Sequence, residues 1–156
     1  MRCLPHILEP GERIEYLSLG AGSTGRKFDL ETNLRVAEFK FIQWSGGSNT
    51  IRQKAVFEAY LLLATHSTKK RKYLYLLEPH HALRFLHGRR TISSVLSRNR
   101  RLYELFVCRF GETFRTVGDY FAVYGDVVQI IDLSEWLPEL ARELTEAESA
   151  NFVDEL

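Results

Sequence analysis

Two hydrophobic periodicities divide the chain. LRVAEFKFIQW, from Leu34 to Trp44, is rich in β-branched and aromatic residues and predicts a strand. Side chains alternate along a strand, so Val36, Glu38, Lys40 and Ile42 share one face, and Ala37, Phe39, Phe41 and Gln43 the other. Ahead of it, Arg26 to Leu30 predicts a short strand and Glu31-Thr32-Asn33 a turn, which makes the pair a hairpin. After a Ser45-Gly46-Gly47-Ser48 loop the period changes. Asn49 or Thr50 caps a predicted helix to about His66, apolar around much of its surface and therefore largely buried. Tyr73 to Leu77 has the pattern of a buried strand, and Pro79 opens a short helix to about His87. Ile92 to Phe110 predicts one long basic helix, Thr113 to Tyr124 another, and DVVQIIDL, Asp126 to Leu133, a last strand. At the front, Pro10-Gly11 starts a predicted short helix with Ile14 and Leu17 inward, ended by Gly20 to Gly25.

This order predicts an α/β domain with a mixed central β-sheet flanked by helices. A length of 156 residues suits a single domain: a core over about 10–78, a basic helical elaboration with a final strand over about 79–134, and an acidic tail over 135–156. Cys3 and Cys108 are the only cysteines, and no CxxC occurs, which excludes a zinc ribbon. Both read as free thiols of a reducing compartment, with Cys108 in the core beside Leu105, Phe106 and Phe110. No apolar leader follows Met1, and the longest apolar run, Ala59 to Ala64, is too short for a bilayer; the expectation is a soluble cytoplasmic protein without a membrane partner.

GAGSTG, residues 20–25, fits the dinucleotide pattern G-x-G-x-x-G letter for letter. That fingerprint needs a strand before the glycines and a helix after them, to set the pyrophosphate on the helix N-terminus. Here a predicted helix precedes, and Arg26 to Asp29 continues as strand, so the glycines read as a connector. No Gly-Lys-Ser/Thr follows, so a phosphate loop of the Walker type fails as well.

The chemistry sits in the hairpin. Glu38 and Lys40 share one face of an otherwise apolar strand, and burying both is costly unless they are paired or bind an ion. A two-residue Thr32-Asn33 turn would pair Asp29 with Val36 and leave its carboxylate one diagonal step from Glu38. A three-residue loop would turn Asp29 to the opposite face unless a bulge restores it. Converging carboxylates with a backbone carbonyl suit Mg²⁺ or Mn²⁺, and a neighbouring lysine can orient water or stabilise developing charge. The rival reading is an ion pair of Glu38 with Lys40 or Arg35 on a half-exposed sheet.

Asp29, eight intervening residues and then Glu38-Phe39-Lys40 resembles the D…(D/E)-x-K motif of the PD-(D/E)XK, or restriction-endonuclease-like, nuclease superfamily. The order around it, a helix, a hairpin with the acids, a helix and a strand, is similar to that family's core over about residues 10 to 78. No proline precedes Asp29, where Phe28 stands. The resemblance implies metal-dependent phosphodiester cleavage, usually of DNA, with Asp29 and Glu38 as metal ligands and Lys40 beside the water. It also implies an acid from the first helix, for which Glu15 comes first and Glu12 second, and offers Gln53 as a match to a glutamine beyond the motif. A catalytically silent relative that binds nucleic acid or a protein is the alternative it leaves.

The net charge of +1 conceals an asymmetry. From Lys69 to Arg115 twelve Lys or Arg stand against three Glu, a net of +9; from Glu135 to Leu156 seven acids stand against Arg142, a net of −6. The basic stretch suggests a phosphate-bearing partner, DNA with RNA left open, tracked by Lys69, Lys70, Arg71, Arg89, Arg90, Arg98, Arg100 and Arg101; a solvated helical surface is the bland counterpart. Not all arginines of the Ile92–Phe110 segment share a face, so only a subset can touch one ligand. A homodimer and a protein partner for the acidic tail are further expectations, the first from two-strand cleavage and the second from charge.

Overall fold

The computed structural model describes residues 3–18, 27–41, 44 and 50–139. Five strands form one sheet in the order β1 (Ile14–Leu17), β2 (Leu30–Thr32), β3 (Arg35–Lys40), β4 (Arg71–Leu76) and β5 (Gln129–Asp132). The first three run as an antiparallel meander, whereas β3, β4 and β5 are parallel. Parallel neighbours need crossovers. The first is α2 (Thr50–Thr65); the second contains α3 (His80–Leu86), α4 (Ile92–Val95), α5 (Arg100–Phe110) and α6 (Val117–Tyr124). A single turn, α1 (Leu4–Ile7), precedes β1. The expected α/β class with a mixed sheet flanked by helices is therefore present.

Strand alternation sorts the core onto two faces. Val36, Leu74 and Leu76 face α2 and the C-terminal helices, while Leu30, Ala37, Phe39, Tyr73 and Tyr75 pack with α1 and the Trp136–Leu137 segment. A helix apolar on all sides must be covered on more than one side. α2 meets this need by lying between the sheet and α6: Tyr60 Oη donates to the Tyr124 carbonyl at 2.6 Å, and the Phe57 and Tyr120 rings meet edge to face.

Three expectations are corrected. Pro10 to Ser18 is not helical: Gly11 takes φ +80° in a turn, and Ile14–Leu17 pairs with β2 as an edge strand. Ile14 and Leu17 have helical spacing, but Arg13 N–H donates to Asn33 Oδ1 and Arg13 C=O accepts from Asn33 N–H, which lays the segment alongside the hairpin turn. The expected helix from Ile92 to Phe110 is broken, because Asn99 leaves helical geometry and caps α5 by accepting from Leu102 N–H at 3.2 Å. The same side chain donates to Glu58 Oε1 on α2, so the break is also a tertiary joint. Cys108 is exposed on α5 rather than in the core, which takes Leu102 and Phe106 from that helix instead. Neither cysteine is in a disulfide.

Gly118, in the first turn of α6, donates its N–H to Gly88 C=O at 2.9 Å. A Cβ there would stand 2.7 Å from that oxygen and 2.9 Å from the His87 carbonyl oxygen. Backbone cannot yield as a side-chain tip does, so Gly118→Ala is expected to separate α6 from α3. Overpacking of this kind costs roughly 1–3 kcal/mol, or about 2–12 °C in Tm for a chain of this size, readable by thermal unfolding.

Candidate active site

Hairpin register brings the two acids to one place. Leu30 lies opposite Ala37 and Glu31 opposite Val36. One step outward, the same register sets Asp29, just ahead of β2, opposite Glu38. The turn is thus centred on Asn33-Leu34 rather than Thr32-Asn33, and Asp29 faces Glu38 directly instead of diagonally. A shift of two residues preserves the face, so the expected side is kept. Asp29 Oδ2 accepts from Phe39 N–H at 3.0 Å, and the Asp29 N–H faces the Glu38 carboxylate. The two residues clasp each other across the strand pair.

Lys40 follows on the same side of β3 and donates to Glu38 Oε1 at 2.5 Å. Both side chains are mostly covered, at 26% and 16% exposure for Lys40 and Glu38. Burial pushes the Glu38 carboxyl above the ordinary carboxylate range; the Lys40 ammonium works against this, and the negative charge of Asp29 adds to it. Two acids held together at a partly dry site repel one another, and a cation beside them relieves that repulsion. Among the described residues no group of three or more His, Cys, Asp or Glu is placed to hold a metal ion. The oxygen donors gathered here are the two carboxylates, a hard donor set of the kind Mg²⁺ and Mn²⁺ accept, with water completing the shell.

Glu15 stands elsewhere. β1 bulges between Ile14 and Tyr16, leaving Glu15 as the extra residue, and its carboxylate takes the Lys70 ammonium at 2.7 Å. Glu12, the second candidate for a further acid, has no side-chain exposure. Arg35 Nε and Nη2 hold its two oxygens, each at 2.6 Å.

The basic residues separate into two groups. Lys70 is bound to Glu15 and Glu31, and Arg71 to Glu9. Arg71 pairs with Arg35 and Leu76 with Lys40, so this cluster lies at the opposite end of β3 from Lys40, about 17 Å away at the rise of a strand. Lys69 is exposed there without a hydrogen bond or ion pair to any described residue. The other group lies past α3. Arg90 Nη1 donates to Gln53 Oε1 at 2.6 Å, and Arg100 pairs with Glu104 along its own helix. Arg89, Arg98 and Arg101 are exposed and form no hydrogen bond or ion pair with any described residue.

One strong constellation had no sequence forecast. Arg35 is buried on the face of β3 opposite Glu38, with its guanidinium on Glu12, on the Tyr75 hydroxyl at 2.9 Å and above the Tyr73 ring at 4.7 Å. Burial works against charge on Glu12, but the hydrogen bonds from Arg35, the Glu9 N–H and Thr32 keep its carboxyl below the ordinary range. The available signal was an arginine at an odd, core-facing position of an apolar strand.

The GAGSTG stretch, Ile42 and Gln43, the 45–48 loop and the tail beyond Glu139 lie outside the described residues. A strand, β1, does precede the glycines, contrary to expectation, but Lys27 to Asp29 is not helical and β2 follows at once. The dinucleotide reading fails on that second requirement alone. Among the described residues no helix is long and apolar enough to cross a membrane. Comparison with protein-family models, with curated proteins and with solved structures returned no match.

Proposed function

We propose that the protein is a divalent-metal-dependent nuclease of the PD-(D/E)XK type that hydrolyses phosphodiester bonds in DNA. The observation that carries this reading is the placement of Asp29 against Glu38, with Lys40 bonded to Glu38, on one partly buried face of a hairpin. The order of hairpin, helix and parallel strand agrees with the resemblance, although β1 replaces the expected preceding helix.

In this proposal Asp29 and Glu38 would hold Mg²⁺ or Mn²⁺. Such an ion supplies Lewis-acid polarisation of a phosphoryl oxygen and a lower pKa for bound water. Lys40 presents its amine on the same face, where it would orient the attacking water and offset the negative charge that grows on the phosphoryl oxygens. Partial burial strengthens both electrostatic effects relative to open water. A second reading, a silent binding module, is favoured by one feature: Glu38 is already satisfied by Lys40, and Asp29 by Phe39 N–H, without a metal ion.

Incubation of plasmid and oligonucleotide DNA with the full chain, in Mg²⁺, Mn²⁺ or EDTA, separates the two. Cleavage that requires the metal and disappears in Glu38→Ala supports the nuclease; binding without cleavage by the wild type supports the silent module.

A further inference from the structure

We infer a phosphate-binding cleft, separate from the Asp29–Glu38–Lys40 centre, between the first turn of α2 and the α4 segment; the inference rests on the nuclease reading and specifies where the DNA backbone is gripped. A cavity of about 370 Å³ opens there, walled by Lys54, Arg90 and Arg98 together with the hydroxyl residues Thr50, Ser94 and Ser97. Among the described residues three cations line it and no acid does. Like charges around an open volume repel one another unless an anion enters.

Each cation is placed to serve an anion. Arg90 is fixed by Gln53 through one nitrogen, which leaves the rest of its fork for another acceptor. Arg98 is exposed and bonds to no described residue. Among the described residues Lys54 has only a long contact to Glu58, at 3.7 Å, and Glu58 also accepts from Asn99 at 2.7 Å. Guanidinium forks, an ammonium and hydroxyl donors are the donor set that phosphodiester oxygens take, and the one carboxylate in contact with it among the described residues, Glu58, lies at long range from Lys54 and is held by Asn99.

Topology places this cleft at the correct end of the molecule. Since β3 and β4 are parallel, α2 must return antiparallel to them, so its first turn lies at the C-terminal ends of both strands. That is the end that carries Lys40. A strand held by Arg90 and Arg98 therefore lies at the same end of the sheet as the two acids, whereas the Lys69–Arg71 cluster sits at the far end, with Lys70 and Arg71 neutralised by Glu15, Glu31 and Glu9. Of the eight basic residues forecast for nucleic acid, Arg90 and Arg98 belong to this track, and Lys54, absent from that forecast, joins them.

The test is fluorescence anisotropy of a labelled mixed-sequence duplex with the full chain in EDTA, titrated over a range of salt. Arg98→Ala and Lys54→Ala are each expected to weaken binding about tenfold, and to reduce the slope of log affinity against log salt by about one. Arg98→Lys should retain most of the affinity, and the double change Arg98→Glu with Lys54→Glu should abolish binding without lowering Tm. Glu38→Gln should bind as the wild type does while cutting nothing. Unchanged affinity and slope in the cleft variants, a loss in Lys69→Ala as large as in Arg98→Ala, or a wild type that binds no duplex would each overturn the cleft. Cleft-dependent binding with no cleavage in Mg²⁺ or Mn²⁺ would instead overturn the nuclease reading and leave the cleft standing.

Discussion

Glu38→Ala is expected to lose metal-dependent cleavage by a factor on the order of 10³ or more, since the several kcal/mol supplied by a bound cation convert at 1.36 kcal/mol per decade. Lys40→Ala should lose about 10²–10³, the usual effect of removing one donor aimed at developing charge. The two residues touch, so their effects should not add: the double variant should cut no more slowly than Glu38→Ala alone. Neither change should unfold the protein. Glu38 is a partly buried acid whose charge burial disfavours, and the surrounding strand is held by Val36, Ala37 and Phe39, which are buried on the two faces. Tm should therefore hold or rise in Glu38→Ala while cleavage disappears. Full cleavage in both variants would show that the hairpin is not the site.

Arg35→Met should produce the largest loss of stability. It leaves Glu12, with no side-chain exposure, as a buried acid without its cation, and it strips the Tyr75 hydroxyl of its donor. Breaking such a pair from one side costs roughly 3–5 kcal/mol, or about 6–20 °C in Tm at this chain length. Replacing both ends, as in Arg35→Met with Glu12→Leu, should recover most of the loss, because two apolar groups do not carry the desolvation penalty. The sign with pH follows from Glu12. Its carboxyl is held below the ordinary carboxylate range in the fold, so its contribution is present above the unfolded value and fades as pH falls through the lower folded one. Denaturant titrations between neutral pH and pH 3 should show an acid-side decline in the wild type that is shallower in the double variant. A single variant as stable as the wild type would mean that Arg35 carries nothing.

What the sequence revealed depended on locality. Strand alternation is local, and it put Glu38 and Lys40 on one face regardless of where the turn fell; moving the turn by one position changed the partner of Asp29 but not its side. The four-residue strand β1 is not legible locally because Ile14 and Leu17 also have helical spacing, and only pairing with β2 decides between the two. The break before α5 was hidden because apolar periodicity passes through it, while the cap chemistry of Asn99 depends on one side-chain hydrogen bond. The Arg35–Glu12 pair, 23 residues apart, and the Arg90–Gln53 pair, 37 apart, are contacts that no local pattern encodes. The second of these fixes Arg90 at the wall of the cavity between α2 and α4.

Calorimetric titration of Mn²⁺ into the full chain tests the central claim most directly. The wild type should bind one ion, and Asp29→Asn and Glu38→Gln should each remove that binding while remaining folded. Equal binding in all three proteins, or none in the wild type, would contradict a cation held between these two carboxylates.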